Sequence, residues 1–235
     1  MSAVVCEAVC RTFHQGDALI TGLDHVSLEI QPGEFLCLSG PSGSGKTTLL
    51  NAIGALDTPD GGEITVGGQR LGSLSRAELA ELRLRRIGFV FQAYNLIPVL
   101  TARENVEFVM QVQGLSAARR RAVADEMLAA VGLAGLEERR PAQLSGGQQQ
   151  RVAVARAVAS GPDLVLADEP TANLDSHSSA HLMDLFEQLN GERGVTFVIA
   201  THDPGVMGYA RRLVRMLDGR VVADEAQTPQ RMAHE

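Results

Sequence analysis

The stretch "GPSGSGKTT", Gly40 to Thr48, constrains the fold of this chain more than any other. It fits the pattern G-x-x-x-x-G-K-S/T. The apolar run "EFLCL" precedes it, and the apolar spacing of "GKTTLLNAIGA" predicts a helix over 45–55. A strand that turns through glycines straight into a helix is the context this motif requires. Gly43 and Gly45 let the backbone curl until several N–H groups point at one place, and the helix N-terminus adds its partial positive charge. Within Gly40, Pro41, Ser42, Gly43, Ser44, Gly45, Lys46, Thr47 and Thr48, Lys46 is placed to reach the β- and γ-phosphates of a nucleotide. Thr47 offers a hydroxyl to Mg²⁺.

The rest of the chain supplies elements to surround that unit. "AVVCEAVCRTF" and "DHVSLEI" read as strands before "EFLCLSG", with a turn at Pro32–Gly33. "GEITVGG" is a short strand, "SRAELAELRLRR" a helix and "IGFVFQ" an apolar strand that ends at Gln92. Residues 101–160 change character: "TARENVEFVMQVQG", "SAARRRAVADEMLAAVGL" and "SGGQQQRVAVARAVAS" all have helical spacing. "DLVLAD" and "VTFVIATHD" are buried-type strands flanking a helix from Ser176 to Leu189. "RLVRMLDGRVVADE" predicts a hairpin around Asp218–Gly219, followed by a loose tail. Strand, phosphate loop, helix, helical block and strand–helix–strand together predict an α/β core with an inserted helical subdomain.

Bulk properties exclude several classes. A net charge of −7 argues against a general nucleic-acid binder. No apolar run approaches the ~20 residues that span a bilayer, and the N-terminus lacks the basic-then-apolar order of a signal peptide. A soluble chain is expected, so any membrane span must come from another chain. Three cysteines with no close pair argue against a disulfide framework or zinc site. Cys6 and Cys10, alternating with Val4 and Ala8, are expected to pack on one strand face.

Two further motifs carry chemistry. "LVLADEP" sets Asp168 and Glu169 after a buried strand, where open α/β sheets bind ligands. Asp168 suits a hydrated Mg²⁺ and Glu169 could polarise an attacking water. "LSGGQQQR" puts two adjacent glycines at the start of a helix, a second place able to hold a phosphate.

"GPSGSGKTT", "LSGGQQQR", "LVLADEPTANLDS" and "IATHD", in that order, resemble the ATP-binding-cassette (ABC) ATPase subunits, over roughly Val4 to Val222. The resemblance implies a RecA-like P-loop NTPase core with an N-terminal antiparallel β-subdomain. It implies one domain over 1–235: core 1–92 and 161–222, helical subdomain about 93–160, tail 223–235. By the same resemblance Phe13 stacks on adenine, Gln92 contacts Mg²⁺ and the attacking water, and His202 touches the γ-phosphate. Thr47, Gln92 and Asp168 hold Mg²⁺, Glu169 is the general base, and Asp175 couples two sites. Ser145, Gly146, Gly147 and Gln148 then close over the ATP of a second copy in a head-to-tail homodimer. Ala172 stands where the family often has Gly, a small change expected to matter little.

"GALDTPDGGEITVGG" and "FVFQAYNLIPVLTARENV" look most like the bacterial subgroup of lipoprotein release, macrolide export and the cell-division complex. That likeness implies an integral membrane permease with a large extracytoplasmic domain, in some cases a periplasmic adaptor, no nucleic acid, and a peripheral place on the cytoplasmic face of the inner membrane. ATP would drive export by mechanotransmission, or else switch an extracytoplasmic enzyme without transport. Soluble ABC ATPases of DNA repair or translation carry a long coiled-coil insertion or two cassettes, and neither is seen here. Ala93–Val99, "AYNLIPV", is a candidate docking surface for the permease. His177 and His181 lack the Glu of HExxH and a third ligand, so spacing alone does not make them a zinc site. The arginines at 83, 85, 86 and at 119–121 read as solvated helix faces.

Overall fold

A computed structural model describes residues 2–16 and 18–230, the side chain of Gln15 excepted. Its spine is a six-stranded sheet in the order β10 (Arg220–Ala226), β9 (Arg212–Leu217), β3 (Phe35–Ser39), β8 (Thr196–Thr201), β7 (Leu164–Asp168) and β6 (Ile87–Val90). All neighbours are parallel except β10, which pairs antiparallel with β9 as the expected hairpin. The central strands read as unbroken apolar runs because both faces are covered. Their period of two divides them cleanly. Phe35, Cys37, Val165, Ala167, Phe197 and Ile199 enter one core. Leu36, Leu38, Leu164, Leu166, Val198 and Ala200 enter the other.

Each face has its own cover. On one side, α1 (Lys46–Ile53) packs beneath a four-stranded antiparallel sheet ordered β2 (Ala18–Ile30), β1 (Val4–Gln15), β4 (Gly61–Val66) and β5 (Gln69–Arg70). On the other lie α3 (Ala102–Val112), α4 (Ala117–Ala130), α5 (Gly146–Ala159) and α6 (Ser176–Arg193). The helix α2 (Arg76–Arg86) leads into β6, and a short α7 (Pro204–Met207) follows β8. Three helix starts are set by reciprocal side-chain caps. Ser75 with Glu78, Thr101 with Glu104 and Ser145 with Gln148 each form a reciprocal capping box.

Three local expectations need correction. Val4 and Cys6 are buried, but Ala8 is exposed and Val9, not Ala8, enters the core; Cys10 is only partly covered. The cause is a bulge: the pairing register of β1 shifts between Cys6 and Val9, and Ala8 takes φ 49°. One extra residue reverses the faces from there on. The strand expected to end at Gln92 stops at Val90, leaving Gln92 in the turn beyond. At the other end, β10 runs to Ala226, past the boundary expected for the tail at 223, and Gln230 still donates to the Gly208 carbonyl at 2.7 Å. The last five residues of the expected tail lie outside the described residues.

Candidate active site

Strand register brings the chemistry together. Ser39 on β3 pairs with Thr201 on β8, and Ala200 pairs with Asp168 on β7. The three strands therefore end side by side, and the phosphate loop, Asp168–Glu169 and Thr201–His202 emerge at one sheet edge. Loop residues 42–48, Glu169 and His202 line a cavity of about 460 Å³ together with Phe13, Gly22, Gln92 and Ala172. Asp168 and Thr201 join it through hydrogen bonds to Thr47 and Glu169.

The loop itself is tightly held. Gly40 (φ 147°) and Gly45 (φ 100°) adopt backbone open to glycine. A Cβ at Gly40 would meet the Met216 carbonyl at 2.2 Å, and one at Gly45 the Gly22 carbonyl at 2.5 Å. The Gly219 N–H donates to the Ser44 carbonyl at 3.1 Å, so the C-terminal hairpin turn braces the loop from outside. Lys46 is only 6% exposed. Its ammonium donates to the Gly40 and Pro41 carbonyls at 2.7 and 3.0 Å. The Ser44 hydroxyl is buried and unpartnered among the described residues. A buried orphan hydroxyl beside a buried cation and a helix N-terminus is a donor set in want of an anion, and phosphate fits it.

The adjacent carboxylates face different ways. Thr47 Oγ1 donates to Asp168 Oδ1 at 3.1 Å. Burial pushes the Asp168 carboxyl above its ordinary range, partly offset by that hydrogen bond. Two hard oxygens, one on a carboxylate held partly out of water, fit Mg²⁺, which takes few protein ligands beside water and phosphate. Glu169 takes φ 45°, unusual outside glycine, and its N–H donates to the Ala200 carbonyl at 2.9 Å. That twist carries its carboxylate to β8, where Thr201 Oγ1 donates to Oε2 at 3.1 Å and His202 Nδ1 lies 2.8 Å from Oε1.

Phe13 sits at the cavity mouth, 38% exposed. Its ring presses on Gly22, where a Cβ would meet it at 2.6 Å, and the Arg11 guanidinium lies 5.0 Å from its centroid. Arg11 is itself fixed by Asp57 and Asp60.

Not every candidate joins this cavity. None of Ser145, Gly146, Gly147, Gln148 or Asp175 lines it. Ser145 caps α5, accepting from the Gln148 N–H at 3.3 Å, while Gln148 Oε1 accepts from the Ser145 N–H at 2.9 Å. The first N–H groups of the helix, on Gly146 and Gly147, have no intrahelical acceptor. A Cβ at Gly146 would meet the Tyr94 hydroxyl at 2.9 Å and force a shift, whereas one at Gly147 would come within 3.2 Å of the Ser178 hydroxyl, which needs to give way only by a few tenths of an ångström. Asp175 caps α6, accepting from the Ser178 N–H and hydroxyl at 2.8 and 2.9 Å. Those bonds, the backbone one first, hold its carboxyl below the usual range.

Several residues escaped the sequence reading. Thr201 holds Glu169, and its only signal was a hydroxyl at a strand end. Gly22 signalled a close approach by being a lone glycine inside a strand pattern. The loop from Phe91 to Thr101 is pinned by Arg156, which donates to the Tyr94 and Asn95 carbonyls at 2.9 and 2.5 Å. Asn105 pins it again, accepting from the Ile97 N–H at 2.8 Å and donating to the Thr101 carbonyl at 2.8 Å. Neither residue type is diagnostic in sequence. Beside this loop an apolar groove of about 830 Å³ runs between α2, β6, α3 and α5, floored by Leu56, Phe89, Phe91, Ile97, Phe108 and Val112. Arg83, Arg85 and Arg86 are spoken for, by the Ala55 carbonyl, Glu81 and Asp163.

A glycine loop joining strand to helix, facing an Asp–Glu pair and a histidine across parallel strand ends, defines a phosphate-loop ATPase of the α/β class. Within that class the chain belongs to the ABC transporter family, whose model matches residues 23–172. It is 47% identical over 216 residues to the macrolide export ATP-binding/permease protein MacB of Marinobacter nauticus, covering 92% of this chain and 33% of that protein. The MacB of Neisseria gonorrhoeae is 41% identical over 230 residues, 98% of this chain and 36% of that one. The chain thus spans about a third of the length of these relatives. Among solved structures, the dimeric ATP-binding cassette MJ0796 in a post-hydrolysis state with ADP and Pi superposes with a TM-score of 0.89 at 44% identity, covering 95% of this chain and 98% of that one. The cbiO1 protein of Clostridium perfringens, part of the cbiONQ transporter complex, gives 0.85 at 28% identity, covering 96% and 88%.

Proposed function

We propose that this chain works as a head-to-tail homodimer that encloses two Mg·ATP and drives a membrane permease. The observation that carries the reading is the separation within one chain. The ATP cavity has its phosphate loop, Glu169 and His202, with Asp168 bonded to its Thr47, yet the Ser145–Gln148 helix start lies outside it. A second copy is the natural owner of the phosphate that Gly146 and Gly147 would bind, and the dimeric state of MJ0796 supports this. The domain is read as one cassette, with core 1–92 and 161–222 and the helical part at 93–160 carrying the signature toward the partner copy.

Within one site, Phe13 stacks on adenine, Lys46 exchanges its own loop carbonyls for β- and γ-phosphate oxygens, and the Ser44 hydroxyl gains an acceptor. Thr47, Asp168 and Gln92 would hold Mg²⁺, which supplies charge neutralisation on the phosphate oxygens. Glu169, oriented by Thr201 and His202, accepts the proton of the attacking water, and His202 also contacts the γ-phosphate. Asp175, at the head of α6, transmits the state of one site to the other.

The likeness to MacB favours macrolide export by mechanotransmission, with a permease of large extracytoplasmic domain, a periplasmic adaptor, and a place on the cytoplasmic face of the inner membrane. No helix among the described residues is long and apolar enough to cross a membrane. The apolar groove beside the Phe91–Thr101 loop suits a helix of the permease, and Val99, 70% exposed, extends that surface. A lipoprotein cargo, or ATP-gated control of an extracytoplasmic enzyme, uses the same cycle.

Glu169→Gln tests the reading. It keeps the shape and hydrogen-bonding reach of the side chain but removes the base, so turnover should drop roughly 10²- to 10⁴-fold. ATP binding should persist, and gel filtration should show a long-lived dimer. Near-normal turnover would remove Glu169 from the mechanism.

A further inference from the structure

His177 and His181 stand one turn apart on α6 and share a face of that helix. Both are exposed, and their ring centroids lie 4.4 Å apart at 75°. The two Nε2 atoms approach to 3.2 Å. At that distance they cannot both carry a hydrogen, because two N–H groups would then point at each other. At least one nitrogen lone pair is therefore turned into the gap. Two imidazole nitrogens bound to one zinc-like ion at about 2.0–2.1 Å lie about 2.9–3.4 Å apart for bond angles from about 90° to tetrahedral. The observed spacing falls inside that bite.

We propose that His177 and His181 form a two-nitrogen surface site for one borderline divalent transition ion of the Zn²⁺, Ni²⁺ or Cu²⁺ class. The ion takes the place of the shared proton. Imidazole suits these metals and not Mg²⁺, so the site is chemically distinct from the oxygen pair at Thr47 and Asp168. No group of three or more metal-ligating side chains occurs among the described residues. Water or an outside donor completes the coordination, and the affinity is correspondingly weaker than that of a structural zinc site. The bridge ties the first turn of α6 to the second, directly after its cap at Asp175. It fixes the head of α6.

The untagged, nucleotide-free chain is titrated with zinc chloride in a calorimeter, and with copper(II) chloride followed by electron paramagnetic resonance. One ion per chain should bind with a Kd on the order of micromolar, and the copper spectrum should carry nitrogen coupling from two imidazoles. Losing even an outer-shell partner costs about 10- to 100-fold in metal affinity, so His177→Ala and His181→Ala should each weaken binding by more than about tenfold. Both positions are exposed and alanine favours helix, so both variants should melt like the parent. Parent-like binding in either variant, or no binding below millimolar ion, overturns the proposal.

Discussion

At the scale of single residues, the site works by setting neighbours against each other. Asp168 and Glu169 are adjacent in sequence, yet one bonds Thr47 of α1 and the other Thr201 of β8. The divergence comes from the left-handed backbone of Glu169, a conformation that costs of order 1–3 kcal/mol outside glycine and persists only where surrounding bonds hold it. Phe13 illustrates the opposite economy. It is partly exposed and rests on Gly22 at the cavity mouth, and in the proposed site its apolar ring contributes through binding. Stacking of a base on an aromatic ring is worth about 1–3 kcal/mol. Phe13→Ala should therefore raise KM for ATP roughly 5- to 150-fold and leave kcat near the parent value, the pattern of lost uniform binding. Steady-state ATPase assays check it, and a fall in kcat with KM unchanged would remove the stacking role.

At the scale of elements, the sequence was most informative where one strand or helix carries its own signal. The apolar runs of β3, β7 and β8, the glycine turn into α1 and the Asp218–Gly219 hairpin were all legible because they rest on local pattern and turn chemistry. Cys10 was not, because the bulge at Ala8 is set by the pairing of β1 with β2 and β4 and leaves no mark in alternation. Nor could sequence show that the Gly219 turn props the phosphate loop or that Arg156 and Asn105 pin the loop after β6. Those are contacts across many residues between groups common in any protein. Asn105 is 1% exposed and bonds Ile97 on both its amide and its carbonyl. Asn105→Ala would leave the half-buried Ile97 N–H without its acceptor, at a cost of up to about 1–3 kcal/mol. Urea unfolding should show a lower midpoint with an unchanged slope. A midpoint like the parent's would mean that the loop finds other partners.

Across the whole molecule, one ion-pair network joins the two sheets. Arg212 on β9 contacts Asp224 on β10 at 2.6 Å, Glu34 just before β3 at 2.9 Å, and the Glu29 carbonyl of β2 at 2.8 Å. The Arg212 hydrogen bonds hold the Asp224 carboxyl below its ordinary range. A carboxyl lowered in the folded state adds stability that is fully present above its unfolded value, about 3.9, and is lost as pH falls through the folded one. Asp224→Asn should therefore melt below the parent at pH 7, and the gap should close in acid below about pH 4. An equal gap at both pH values would assign the loss to packing instead.

The proposed dimer poses the larger question of where the binding energy of ATP is used. If the signature glycines belonged to their own chain's site, damaging them would weaken ATP binding to the monomer. The geometry points the other way, since neither glycine lines the cavity. Gly147→Asp separates the cases. An acidic residue in the first turn favours the helix through its dipole, so α5 should form as before. Its nearest neighbour at that position is the Ser178 hydroxyl, at 3.2 Å, which needs to move by only a few tenths of an ångström and keeps its backbone bond to Asp175. The added carboxylate, however, repels an incoming phosphate at the N–H groups of that turn. Placed in the Glu169→Gln background, Gly147→Asp should leave the monomer's affinity for ATP within about twofold of its parent, because the interactions that set it lie across the cavity. ATP-driven dimerisation, followed by light scattering, should disappear. Loss of ATP binding by the monomer itself would place the signature in its own chain's site and undo the head-to-tail arrangement.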